Sequence, residues 1–123
     1  MSRIFLAIVG AAYLILAGWC ARMPDKTSRA VGFTLETGSG QSEFLTVYGG
    51  LQLAIGMAFL WPLFRPSDIA FPLLLCVLIH GCLVAFRTLS FVLYNGIPNT
   101  TYYLAATEWI IFIGAAVLYW RKQ

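Results

Sequence analysis

Two ionisable residues lie deep inside apolar runs of this sequence, and a charge in hydrocarbon is costly unless it is paired or lines a cavity. Arg87 stands eight positions before Asn95, and Glu108 seven positions after Thr101. If both runs are helices joined by the short segment between them, a rise of about 1.5 Å per residue sets both charges roughly 10–12 Å below the same surface. Opposite charges at equal depth on adjacent antiparallel helices are the expected arrangement for an ion pair. Such a pair can pin the register of two helices without adding net stability. It can equally form a polar site, with a carboxyl that moves a proton and a guanidinium that steadies an anion. Residue types alone admit both.

His80 lies seven residues before Arg87, on the same side of a helix, and Cys76 lies four residues before His80 on the same stripe. Phe91 and Tyr94 extend that stripe toward the end of the run. An imidazole titrates near neutrality, which would suit a proton relay. The plainer reading is a packing residue that hydrogen-bonds within the protein. Glu43 stands where the second apolar run begins, and there a carboxylate gains from the helix dipole and from free backbone N–H groups. Its alternative role is as a second acid for Arg87. Tyr48 and Gln52, one helical turn apart, can extend a hydrogen-bonding wall, whereas Glu43 and Gln52, nine residues apart, point to nearly opposite faces. The candidate polar site is thus Arg87, Glu108, His80, Glu43, Tyr48 and Gln52.

The elements that must position these groups follow from composition. Of 123 residues, 60% are hydrophobic and 11% charged, and the mean hydropathy is +0.81. A soluble domain carries about 25% charged residues, so this chain has too few polar groups to cover a water-facing surface. Four apolar runs, at about 4–21, 44–64, 69–94 and 102–120, each approach the ~20 residues a helix needs to cross a bilayer. Backbone groups in lipid must be paired internally, and the period-2 alternation of barrel strands is missing. The expected fold is therefore all-α, a single domain of four transmembrane helices over residues 1–123. Short second and third connections make it an up-down bundle. Residues 21–42 form a long first loop with room for a short interfacial helix, and a lid or docking role is one reading of it.

Local chemistry marks the helix ends. Pro24 follows the first run, Asp68 is placed to cap the third helix with Pro72 in its first turn, and Asn99 to Thr101 offer caps for the fourth. Trp19, Trp61 and Trp120 suit the membrane interface, while Trp109 lies inside its run. Arg3 and the first run approximate a signal peptide, but the run is long for an h-region and is read as a membrane helix. Gly49 and Gly56 in the second run, with Gly10, Ala17 and Gly18 in the first, read as sites of close helix packing. They leave room for a homo-oligomer. The side holding both termini carries Arg3, Arg65, Arg121 and Lys122 against Arg22, Lys26 and Arg29 opposite, which favours cytoplasmic termini.

Ser42-Glu43, followed by Tyr48-Gly49-Gly50 and by Arg87 late in the third helix, resembles a bacterial family of small, functionally uncharacterised four-helix membrane proteins. That family is similar in turn to the DoxX-like membrane proteins, some of which accompany quinone-linked oxidoreductases. The resemblance implies the fold and an inner-membrane location; a shared architecture transfers no activity.

Cys20, Cys76 and Cys82 have no CxxC spacing, and with a single histidine no metal, haem or other cofactor is expected. No nucleotide fingerprint appears, and the scattered basic residues give no nucleic-acid footprint. The expected partners are the lipid bilayer together with a lipophilic ligand or a membrane-protein partner. A non-catalytic binding or complex-supporting role is the leading expectation. The alternative is an intramembrane enzyme acting on a lipid or quinone-like substrate, with Glu108 transferring a proton, Arg87 stabilising an anion and His80 relaying.

Overall fold

A computed structural model describes residues 1–122, and no strand occurs among them. Helix α1 spans Ser2–Arg22 and ends where Met23 leaves the helical region ahead of Pro24, which disfavours a helical residue before it. Pro24 then starts a new helix. Helix α2, Pro24–Ala30, has its proline in the first turn, Asp25 near its N-terminus and Arg29 in its last turn, all matched to the helix dipole. Its buried Thr27 and Ser28 turn their hydroxyls back onto the carbonyls of Met23 and Asp25, at 2.9 and 3.2 Å.

The second membrane-crossing helix covers Ser39–Phe64 and starts five residues before its apolar run. It comprises α3 (Ser39–Phe44), a π-helical stretch over Leu45–Leu51, and α4 (Gln52–Phe64). Residues 21–42 are accordingly mostly helical, and the expected long first loop shrinks to residues 31–38. Gly32 and Gly38 bound that short segment with φ of 88° and 85°, values that strongly favour glycine. Glu43 also changes role: as the fifth residue of a helix it is past the first turn, where a carboxylate would meet free N–H groups.

A 3-10 turn, Pro66–Asp68, leads to α5 at Ala70–Leu93. Asp68 makes no cap for α5. Ile69 holds the cap position, and the Asp68 carboxylate instead accepts from Trp61 Nε1 at 3.3 Å and from Ser67 Oγ at 2.7 Å. These two bonds hold the Asp68 carboxyl below the usual carboxylate range. Pro72 falls in the first turn of α5, where its missing N–H costs no helical bond. Tyr94 is extended, Gly96 takes a φ of 75°, and α6 follows over Asn99–Trp120. Pro98 precedes this helix and Asn99 belongs to it, so the expected polar cap is replaced by an uncapped start.

The four long helices are each long and apolar enough to cross a membrane, and the chain is an integral membrane protein. Helix α1 packs mainly on the second crossing helix, and α5 on α6, while the two pairs touch less extensively. The tight α1–α4 approach has a cause in two glycines. A Cβ at Gly10 would meet the Gly56 carbonyl oxygen at 3.0 Å, and a Cβ at Gly56 would meet the Gly10 oxygen at the same distance. The core joins Leu6 and Val9, Phe59, Leu73 and Cys76, and Ala115. These positions lie at the start of α1, the end of α4, the start of α5 and the end of α6, so this cluster sits toward the end that holds the termini, while Ala17, Cys20, Phe44, Val84 and Ala105 are buried toward the other.

Candidate functional site

A cleft of about 1040 Å³ lies between the second crossing helix and α5. Its volume lies just above the about 300–1,000 Å³ of typical small-molecule sites. Apolar side chains such as Leu51, Ile55, Leu75, Ile79 and Leu83 form most of its wall, and Tyr13, Tyr48, Gln52, Arg87 and Ser90 supply polar atoms. Tyr48 and Gln52 enter from the π-helical stretch and the residue that follows it. The weak helix formers Gly49 and Gly50 sit within that stretch, and π-turns recur at functional sites. Phe44 stacks on Tyr48 at 4.5 Å between centroids, and Phe33 meets it edge-on at 6.1 Å, so an aromatic cluster fixes the ring.

Arg87 and Glu108 meet in a two-pronged contact across α5 and α6. Nε donates to Oε2 at 2.8 Å and Nη2 to Oε1 at 2.6 Å. Helix α6 begins three residues before its apolar run, which places Glu108 nine residues into the helix, and the long arginine arm spans the difference in depth. The side chains are 27% and 13% exposed. Arg87 borders the cleft, whereas Glu108 stands behind it. The Gln52 Oε1 atom is buried with no hydrogen-bond partner among the described residues. An unpaired buried amide oxygen carries a desolvation cost of about 1–3 kcal/mol that a donor could relieve.

His80 belongs to a different group. It is 1% exposed and does not border the cleft. Its Nδ1 lies 2.9 Å from the Cys76 carbonyl, which can only accept, so that nitrogen carries the proton. Nε2 is then free to accept from the Tyr13 hydroxyl at 3.3 Å. The ring also packs against Phe59 and edge-on against Tyr13. Tyr13 thus forms the partition between His80 and the cleft, a role the sequence reading missed. Depth arithmetic could have found it. Tyr13 is 11 residues into α1 and His80 is 10 into α5, and both helices enter from the same side.

The structure therefore brings Tyr48, Gln52 and Arg87 to one cleft, with Glu108 at the back of Arg87, and sets His80 apart. Glu43 is exposed and belongs neither to the cleft nor to the ion pair. Cys76 is buried beside His80, its Sγ 3.5 Å from Nδ1, and Cys82 is exposed on the cleft wall.

Four membrane-crossing helices, with a cleft carrying a few polar groups between the second of them and α5, define a small helical integral membrane protein. The chain belongs to the family described as Domain of unknown function (DUF4345), whose model matches residues 1–120. No curated protein and no solved structure matches it.

Proposed function

We propose that this protein binds a lipophilic small molecule in the cleft between its second crossing helix and α5. The observation that carries this reading is the composition of one wall: a long apolar surface ending at Tyr48, Gln52 and Arg87. Sites for small molecules combine mostly apolar walls with a few convergent polar groups. The ion pair at Arg87 and Glu108 has a functional role in this reading, because it orients the guanidinium at the cleft edge. The setting is the bacterial inner membrane with both termini cytoplasmic, in keeping with Arg3, Arg65, Arg121 and Lys122 on the terminal side. Kinship with the DoxX-like proteins is architectural, resting on the four-helix plan.

The cleft geometry favours binding over the enzymatic alternative. Glu108 and Arg87 could serve a proton transfer, but His80 lies behind Tyr13 with both ring nitrogens engaged. The binding reading is tested by native mass spectrometry and lipid analysis of protein purified in mild detergent. A defined lipophile should co-purify with the wild type and be lost from Ala54→Trp, which fills the cleft wall. Glu108→Gln should lower its retention more than it lowers the yield of folded protein. Absence of a bound molecule, or one that the tryptophan leaves in place, would sink the reading.

A further inference from the structure

The arrangement of charge around the cleft bears on what kind of molecule it takes. Among the described residues that line it, Arg87 is the cation and none is a carboxylate. The countercharge, Glu108, sits behind the guanidinium and takes the Nε hydrogen and one Nη2 hydrogen. An arginine has five N–H donors, so three remain for other partners. Seen from the cleft, Arg87 is a set of hydrogen-bond donors whose charge has already been cancelled.

That distinction decides between head groups. An anionic head entering beside a neutralised pair would bring an uncompensated charge into an apolar cleft, which is strongly unfavourable. An uncharged carbonyl or hydroxyl oxygen accepts from the same N–H groups without that penalty. We propose that the cleft selects uncharged long-chain amphiphiles bearing a carbonyl or hydroxyl oxygen, and that Glu108 sets this selectivity by cancelling the charge of Arg87. The proposal rests on the reading of the cleft as a binding site. It makes Glu108 a residue that acts through Arg87 and not one that touches the ligand.

The test compares monoolein with oleyl sulfate, a permanently charged amphiphile with a chain of the same length and unsaturation, by titration into the detergent-solubilised protein with native mass spectrometry as readout. Wild type should bind monoolein more tightly than oleyl sulfate, by at least about tenfold. Glu108→Gln frees the charge on Arg87 and should reverse the order. The double variant Arg87→Gln/Glu108→Gln carries no unpaired charge and should lose the gain in sulfate binding. Equal or tighter binding of the sulfate by wild type overturns the proposal even if Glu108→Gln does not fold. A preference unchanged in folded Glu108→Gln overturns it as well. If wild type binds neither amphiphile, or if Ala54→Trp leaves binding intact, the cleft is not the site and both readings fall. Cleft binding that is blocked by the tryptophan but lacks the neutral preference removes the selectivity alone.

Discussion

Single side chains here are held by partners that a membrane makes hard to replace. Tyr13 is the clearest case, because its hydroxyl is the partner of a ring nitrogen on a residue 1% exposed. Tyr13→Phe should leave His80 Nε2 unsatisfied and lower stability by about 1–3 kcal/mol, read as a drop in unfolding midpoint in detergent. The charged pair obeys a different rule. Arg87→Ala or Glu108→Ala each strands a lone charge, so the double alanine variant should cost less than the two single losses added together. A coupling of about 0.5–3 kcal/mol is expected for residues in direct contact, and strict additivity would show that the pair contributes nothing. Glu108 and Arg87 stood out as candidates because charges are rare in these runs, whereas Tyr13 shows itself only when its depth is matched to that of His80, since an aromatic in an apolar helix carries no signal of its own.

At the level of elements, the α1–α4 seam and the α4–α5 turn each depend on one local feature. Gly10 and Gly56 bring two backbones together, and a Cβ at Gly56 would also lie 2.8 Å from Leu14 Cδ2. Gly56→Val or Gly10→Val should part the two helices, at about 1–3 kcal/mol as for other overpacked interiors. Gly18→Ala, with nothing within 4 Å of its added carbon, should be tolerated. Comparable thermal stability of all three variants would refute the seam. In the turn, Asp68 accepts two hydrogen bonds as a carboxylate, and its pKa is lowered from 3.8. A lowered folded-state value means the stabilisation is present above 3.8 and is lost as pH falls through the lower folded value. Relative to the intrinsic exchange rate at each pH, the amides of residues 65 and 67–69 should therefore lose protection at acid pH in wild type, and Asp68→Asn should remove that dependence. Hydropathy located the helices well because lipid demands long apolar runs, but it missed their starts. Ser39 to Glu43 and Asn99 to Thr101 are polar helical turns that extend beyond the apolar stretch.

For the whole molecule, burial and exposure are arranged for lipid. Large apolar side chains such as Ile4, Ile15, Phe71, Phe86 and Ile110 are more than 60% exposed, while the polar ring of His80 is inside. The four crossings return the chain to the side from which it starts, so a cysteine at Ser2 and one at Thr37 face opposite compartments. With cytoplasmic termini, Thr37→Cys should react with an impermeant maleimide added outside intact cells, and Ser2→Cys should react after lysis. Labelling of both from outside would contradict the four-crossing topology.

What the amino-acid sequence determined alone is the class of molecule, the number of crossings and the positions of its two inward charges. Those follow from local and periodic constraints: apolar length against bilayer thickness, and the cost of a charge in hydrocarbon. Tertiary structure decided how the helices pair and therefore where space remains. Close approach at Gly10 and Gly56 pairs α1 with α4, and the space left between the second crossing helix and α5 takes in Tyr48, Gln52 and Arg87 while Tyr13 screens His80 from it. Spacing along one helix placed His80 and Arg87 on a common stripe. The neighbours across the bundle separated them, because a side chain's surroundings depend on which other helix fills the space it faces.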